Sequence, residues 1–228
     1  MNYSVVIDEK ALKDFIEWLP ELEENETYYV CLFSRKKYSA DVNLKADKSQ
    51  LKRFTSNKKY LLSKISQLEC KIGSFTTDGY AIPQESLALY ISPNPRSLER
   101  AAKESLKKFA DLVTKPYTGY NPHSEVLSII QTSGGTKKYM DFDFDNVKIE
   151  NVMEQLVGKI NFNCITPLIT KGGFHLLVEI SKVELEFKNK WYQSISNIEG
   201  CDVRGSDNLI PVPGCCQGNF SPYFLKAN

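Results

Sequence analysis

An alternating row of carboxylates marks the segment KKYMDFDFDN. Asp141, Asp143 and Asp145 are separated by Phe142 and Phe144, so a β-strand here would carry acids on one face and rings in the core. Like charges at this spacing repel, whereas Mg²⁺ and Mn²⁺ prefer oxygen ligands, and neighbouring carboxylates can bridge two ions about 4 Å apart. The row predicts a metal site at Asp141 and Asp143, with Asp145 outside the ligand set. An exposed strand face is the alternative.

A glycine pair and a histidine follow in the segment TKGGFH. Gly172 and Gly173 would let a phosphate or a backbone approach closely, and Lys171 would pair with an anion. His175 is then a candidate catalytic and nucleotide-binding group, although a lone histidine at a strand start is more often a packed imidazole.

The segment CDVRGSDNLIPVPG contains two candidates for a third carboxylate of the same site. Asp207 precedes a Pro and Gly turn and would reach the metal from another strand. Asp202 is its competitor, and a surface acid in a turn is the alternative for Asp207.

Basic residues are concentrated between positions 35 and 64, where ten of them stand against two acidic ones, a local net charge of +8. Tyr38, Phe54 and Tyr60 are interleaved with them, a pattern typical of surfaces that face a phosphate backbone. A solvated loop and helix face is the alternative. The candidate nucleic-acid contacts are Arg35, Lys36, Lys37, Lys52, Arg53, Lys58 and Lys59.

Composition is ordinary for a globular protein: 228 residues, 42% hydrophobic and 25% charged, with a net charge of +1. This length can bury a sizeable core, and we expect one domain, with a basic α/β subregion over 1–120 and a metal-site subregion over 121–228. The N-terminus does not resemble a secretory signal, and no apolar stretch reaches transmembrane length, so a cytoplasmic location without membrane association is expected. Six scattered cysteines favour reduced thiols over zinc binding or disulfides.

The first half of the chain shows both helical and strand patterns. Apolar spacing predicts a helix over 9–22, capped by Asp8, and β-branched and aromatic residues predict a strand over 27–33. Residues 51–68 have helical character, and a strand is expected to end near Ile91.

A long helix should follow that strand, with Asn94 as its N-cap and Pro95 in its first turn. Its inward residues would be Leu98, Ala102, Leu106 and Phe109.

The second half reads as paired strands with intervening helices. After a Gly, Tyr and Pro loop over 116–123, EVLSIIQT and KYMDFDF would form a hairpin through the turn SGGTK. A helix over 149–160, a strand, turn and strand unit over 164–180 and a helix over 183–198 complete the order. These mixed elements predict an α+β fold with antiparallel or mixed sheets flanked by helices.

The order of the three motifs resembles the catalytic core of the archaeo-eukaryotic primase superfamily, which includes the primase-polymerases. YMDFDFDN is similar to its first motif, GGFH to its Ser-x-His motif with Gly173 in the serine position, and the segment after Asp207 to its third motif. YISPNPRSLERA resembles an upstream segment of plasmid and phage members, which makes Arg96 a candidate nucleotide contact.

This resemblance, over about residues 27–225, implies an RRM-like core and a nucleotidyltransferase that joins nucleotides on a single-stranded DNA template. Asp141, Asp143 and Asp207 would hold two Mg²⁺ or Mn²⁺ ions, while Lys171 and His175 would bind the nucleoside triphosphate. The helix that carries Arg100, Lys103 and Lys107 would follow the template backbone with the basic segment. A helicase or other replication protein would act in trans, in the host cytoplasm for a phage or plasmid protein.

Two other functions are compatible with the same residues. A primase-like fold without activity would bind single-stranded nucleic acid or a replication partner, and Gly173 in place of serine favours this alternative. A two-ion site also activates water, so a metal-dependent nuclease or nucleotide hydrolase is the other.

Overall fold

Helices and strands are interleaved in the computed structural model, which describes residues 1–39, 44–114 and 121–225. Asp41 of the basic segment and most of the loop predicted over 116–123 lie outside these residues. Six α-helices lie within the described ranges: α1 (Glu9–Trp18), α2 (Lys58–Ser66), α3 (Leu98–Thr114), α4 (Pro122–Thr132), α5 (Ile149–Leu156) and α6 (Trp191–Ser196).

The described strands form two five-stranded antiparallel sheets and one small hairpin, so the α+β prediction is confirmed. The strands are β1 (Glu26–Arg35), β2 (Lys48–Ser56), β3 (Thr76–Thr77), β4 (Tyr80–Ala81), β5 (Leu87–Ile91), β6 (Arg96–Ser97), β7 (Tyr139–Asp145), β8 (Ile165–Ile169), β9 (Gly173–Glu179), β10 (Cys201–Gly205), β11 (Ile210–Pro211) and β12 (Tyr223–Phe224). No helix in this part of the chain has the length and apolar character needed to cross a membrane.

The first sheet has the order β11-β5-β1-β2, with β6 also paired to β1. Its central strand β1 is buried over eight consecutive residues, which explains the nearly unbroken apolar run TYYVCLF. The C-terminal segment returns to this sheet through β11, and Ile210, Val212 and Cys215 join its core. The two halves of the sequence are therefore interlocked.

The second sheet has the order β10-β7-β9-β8-β12. Helix α5 connects β7 to β8, and α6 lies between β9 and β10, so the order along the chain is strand, helix, strand, strand, helix, strand. Phe142 and Phe144 are fully buried in the core between this sheet and its helices, as predicted. They anchor β7, and with it the acidic row, as an inner strand of the sheet.

The hairpin predicted between residues 125–132 and 138–144 is wrong, because residues 122–132 form helix α4. Asn121 caps this helix by accepting a hydrogen bond from the Ser124 backbone, and Pro122 occupies the first turn. Leu127 and Ile130 are buried at helical spacing. Strand β7 pairs instead with β9 and β10.

Helical character over 51–68 is correct only from Lys58 onward. Residues before it belong to β2, which pairs with β1, and Asn57 caps α2 by accepting from the Tyr60 backbone. Helices α1 and α6 are shorter than predicted, because α1 ends at Trp18 and α6 spans only six residues. The predicted cap of α1 by Asp8 is confirmed.

Asn94 does not cap α3, which begins at Leu98. Its side chain is buried and donates to the carbonyls of Tyr139 and Ser206, at 2.8 and 2.7 Å, while accepting from two backbone amides at the start of β7. Asn94 therefore ties the first sheet to the second.

The predicted inward face of α3 is also wrong. Ala101 and Ser105 are its buried residues, whereas Leu98 and Leu106 are exposed, because the small side chains allow a close approach to the protein body.

Candidate functional site

A pocket of about 240 Å³ lies between the two sheets. The second sheet contributes Asp143, His175 and Arg204 to its lining, together with Asp145 at the end of β7. The first sheet and the turn after β1 contribute a basic and aromatic wall: Arg35, Lys37, Tyr38, Lys48 and Tyr90. Three basic side chains of the first half of the chain thus face two carboxylates, an imidazole and Arg204.

His175 lies between two of the predicted acids. In the ladder between β7 and β9 it stands directly opposite Asp143. Its Nδ1 lies 2.8 Å from Oδ1 of Asp141, and its Nε2 lies 3.5 Å from Oδ1 of Asp143. Burial disfavours the charged ring, but the charges of Asp141 and Asp143 outweigh burial, so the pKa of His175 is raised above its ordinary value.

The three alternating acids have different environments. Asp141 is 1% exposed and is not part of the pocket lining, and its Oδ2 is buried without a hydrogen-bond partner. Asp143 is partly buried and lines the pocket, while Asp145 is exposed and also lines it. The structure therefore brings Asp143 and Asp145 to the pocket and leaves Asp141 behind His175.

Arg204 was not a predicted site residue, yet it holds the central acid. Its Nε and Nη2 atoms each lie 3.2 Å from Oδ2 of Asp143, and Nη2 also lies 2.8 Å from Oδ2 of Asp202. Asp202 and Arg204 are two positions apart on β10 and therefore share one face of the strand. Asp202 stands opposite Asp143 in the ladder. A strand prediction over 201–205 would have placed all three side chains together.

The two glycines have steric reasons for their identity. A Cβ atom on Gly173 would lie only 1.9 Å from the Phe144 carbonyl oxygen, so no side chain fits there without a backbone shift. A Cβ on Gly172 would lie 3.2 Å from Oδ1 of Asp145, a much milder contact. The close approach of β7 and β9 thus requires glycine at position 173, where the primase motif has serine.

Lys171 is exposed and lies beside the pocket rather than in its lining. Its Nζ lies 4.7 Å from the ring centroid of Tyr38, and its backbone amide donates to Oε1 of Gln217 at 2.8 Å. Gln217 in turn donates to the Tyr38 hydroxyl at 3.0 Å. This small network fixes the hairpin between β8 and β9 against the first half of the chain.

The structure does not bring Asp207 and Arg96 into the pocket lining. Arg96 is fully buried, and its guanidinium donates to the Asp207 carbonyl at 2.6 Å and contacts the Asp207 carboxylate at 3.3 Å. Arg96 therefore holds the chain at Asp207. Of the two acids weighed as a third ligand, Asp202 is the one connected to Asp143, through Arg204.

The seven predicted nucleic-acid contacts do not form one continuous surface. Arg35 and Lys37 line the pocket, whereas Lys52 and Arg53 line a separate groove between β2 and α2. Lys58 donates to backbone carbonyls at the end of α1. Lys36 and Lys59 are exposed and are not part of the pocket lining.

Lys48 was counted in the basic segment but not among the candidate contacts, and it is central to the pocket. It pairs with Arg35 across the ladder of β1 and β2, and its Nζ lies 4.0 Å from the Phe33 ring centroid. Burial, with the charge of Arg35, lowers the pKa of Lys48. Two cations side by side on adjacent strands destabilise the wall unless an anion compensates them.

Within residues 1–39, 44–114 and 121–225, no group of three or more histidine, cysteine, aspartate or glutamate side chains is arranged to hold an ion. Mg²⁺ in nucleotide sites commonly takes only one or two carboxylates and completes its shell with water and substrate phosphates. Asp143 and Asp145 fit that smaller requirement, because both present carboxylate oxygens at the pocket.

Comparison of the chain with models of known protein families, with curated proteins and with solved structures gave no match.

Proposed function

We propose that the chain is a DNA primase or primer-extending polymerase, a nucleotidyltransferase that uses two divalent metal ions on a single-stranded template. The observation that carries this proposal is the pocket between the sheets, in which Asp143, Asp145 and His175 face a basic wall. A nucleoside triphosphate bound with divalent cations matches both walls, because its phosphates suit the basic one and its cations suit the carboxylates.

The topology of the second sheet supports the proposal. Its four long strands have the order β10-β7-β9-β8, and helices follow the first and third of them along the chain. This is the strand and helix order of ferredoxin-like and RRM-like folds, the kind of core that the primase resemblance implies. In this arrangement β7 is an inner strand, so its acids lie over the middle of the sheet.

Asp143 and Asp145, the two carboxylates of the acidic row that line the pocket, would hold the ions. Bound ions would lower the pKa of the attacking 3′-hydroxyl and stabilise charge on the triphosphate and the leaving pyrophosphate. Arg204 competes for Asp143, since its guanidinium occupies Oδ2 of that carboxylate. Arg204 lines the pocket and also pairs with Asp202, so a guanidinium displaced from Asp143 would be close enough to pair with a phosphate.

His175 and the basic wall would orient the triphosphate. Nε2 of His175 is on the side of Asp143 and the pocket, while Nδ1 is engaged by Asp141. Arg35 and Lys48 on the opposite wall supply fixed positive charge where phosphate charge develops during transfer. Lys171 and Lys37 flank the Tyr38 ring at the pocket edge and would meet the triphosphate or the template.

The test is an assay with single-stranded DNA, labelled ribo- and deoxyribonucleotides, and Mg²⁺ or Mn²⁺. Wild type should synthesise or extend primers, and Asp143→Asn should reduce product by about 100-fold or more, because it removes an ion ligand. Asp14→Asn is the matched control, since Asp14 is exposed on α1 and is not part of the pocket lining. Thermal unfolding of each variant checks that the fold is retained.

Other outcomes identify the alternatives. Binding of single-stranded DNA without any product would contradict the polymerase and favour an inactive binding protein, the function that Gly173 in the serine position supports. Degraded DNA, or free nucleoside mono- or diphosphate, would favour a nuclease or nucleotide hydrolase. A helicase or other replication protein added in trans should increase the yield of product without changing its dependence on Asp143.

A further inference from the structure

The first acid of the row is separated from the pocket by the histidine. His175 stands opposite Asp143, and Asp141 is the preceding residue on the same face of β7. Because the His175 ring lines the pocket and Asp141 does not, the ring covers Asp141 from that side. The contact between Nδ1 and Oδ1 is 2.8 Å, and both side chains are buried.

The last acid of the row has the opposite placement. Asp145 is exposed, lines the pocket and stands opposite Gly173 at the start of β9. The absence of a side chain on Gly172 leaves room for the Asp145 carboxylate, whose Oδ1 would lie 3.2 Å from a Cβ at that position. Asp143 and Asp145 are thus the adjacent carboxylates that share this pocket.

We infer that Asp141 is a positioning residue that fixes the His175 ring through Nδ1, and that Asp143 and Asp145 are the carboxylates presented to a divalent cation. The inference rests on the proposed function only in assigning a cation to this pocket. A carboxylate that accepts a hydrogen bond from one ring nitrogen sets the orientation of the ring and the role of the other nitrogen. Here the other nitrogen, Nε2, is directed to Asp143 and the pocket.

The two parts of this assignment can be measured without an activity assay. The chain has only two histidines, so a His123→Gln background leaves His175 as the single imidazole for ¹⁵N NMR. Asp141→Asn should move or abolish the signal of the hydrogen-bonded Nδ1 proton, whereas Asp145→Asn should leave that signal in place. A residue that only packed in the core would not give this pattern.

Affinity for Mn²⁺, followed by the EPR signal of the free ion, ranks the three acids. We expect Asp143→Asn and Asp145→Asn to weaken binding by about tenfold or more, because each removes an oxygen ligand and its charge. Asp141→Asn should have a clearly smaller effect. Equal loss of Mn²⁺ binding in Asp141→Asn and Asp143→Asn would overturn the inference, and so would an unchanged His175 signal in Asp141→Asn.

Asp145→Asn keeps the test decisive if Asp141→Asn does not fold, because Asp145 is exposed at the strand end. Unchanged Mn²⁺ affinity in Asp145→Asn would by itself overturn the assignment of the ligand pair. A wild type that binds Mn²⁺ with the expected ranking but makes no product would contradict the proposed polymerase and leave this inference standing.

Discussion

At the scale of single residues, Gly173 shows how packing limits what the site can contain. The primase motif that GGFH resembles has serine at this position, but a Cβ here would lie 1.9 Å from the Phe144 carbonyl oxygen. At position 173, strands β7 and β9 approach each other too closely for a side chain to fit between them. Under the proposed function, contacts to a nucleotide would therefore come from His175 and the basic wall, not from a hydroxyl at position 173.

We predict that Gly173→Ala lowers the free energy of unfolding by about 2 kcal/mol or more, because the methyl group forces the two strands apart. Urea or thermal unfolding measures the change. Gly172→Ala is the matched control, since its nearest neighbour is the Asp145 carboxylate at 3.2 Å, a side chain that can move. Equal destabilisation by the two variants would mean that the strand approach at Gly173 is not the cause.

At the scale of elements, the start of β7 is held by Glu26 of β1. Oε1 of Glu26 accepts from the backbone amide and hydroxyl of Thr136, at 2.7 and 2.6 Å. Burial opposes ionisation of this carboxyl, but the hydrogen bonds from Thr136 and the Glu23 backbone outweigh burial, so the pKa of Glu26 is lowered. A side chain of the first sheet thereby sets where the acidic strand of the second begins.

This shift gives a pH prediction with a definite sign. A carboxyl whose pKa is lower in the folded than in the unfolded state stabilises the fold fully at pH values above its unfolded pKa, near 4.3. This contribution to stability is lost as the pH falls through the folded pKa. Glu26→Gln should therefore reduce stability at pH 7 and flatten the decline of the unfolding free energy below about pH 5. Urea unfolding at several pH values tests this, with the exposed Glu24→Gln as control. A decline as steep as in wild type would contradict it.

Elements were predictable from sequence where one local pattern dominated. The alternation of acids and rings in β7 was sufficient to place Phe142 and Phe144 in the core. The run EVLSIIQT is compatible with either a strand or a helix, and its outcome depended on Asn121 and Pro122 just before it, which start α4. The role of Asn94 was not predictable, because its partners are 45 and 112 residues away.

At the scale of the whole molecule, the pocket exists only because the two sheets meet. Asp143 was predicted from one short segment, whereas Arg204 reaches it from β10 and Lys48 lies on the basic wall of the first sheet. The basic segment looked continuous in sequence, but β2 and α2 direct its charges to different places. Arg35, Lys37 and Lys48 are the charges of this segment that line the pocket, and Arg35 and Lys48 are paired across β1 and β2.

This pairing predicts that Lys48 contributes to the binding of phosphate without stabilising the fold. Lys48→Met keeps the apolar stem against Phe33 while removing a charge that stands beside Arg35. We expect unfolding stability to be unchanged or raised, because repulsion and desolvation are both relieved. Affinity for single-stranded oligodeoxythymidine should fall, and the slope of log affinity against log salt should decrease by about 0.7, the value for one lost phosphate contact.

Lys59→Met is the matched control, because Lys59 is an exposed lysine of α2 and is not part of the pocket lining. Fluorescence anisotropy over a series of salt concentrations gives the slopes, and thermal unfolding gives the stabilities. A loss of affinity without a loss of stability in Lys48→Met, with neither loss in Lys59→Met, would identify the wall between the sheets as the phosphate-binding surface. Equal loss of affinity in both variants would assign binding to diffuse surface charge, and a loss of both stability and affinity in Lys48→Met would make Lys48 a structural residue.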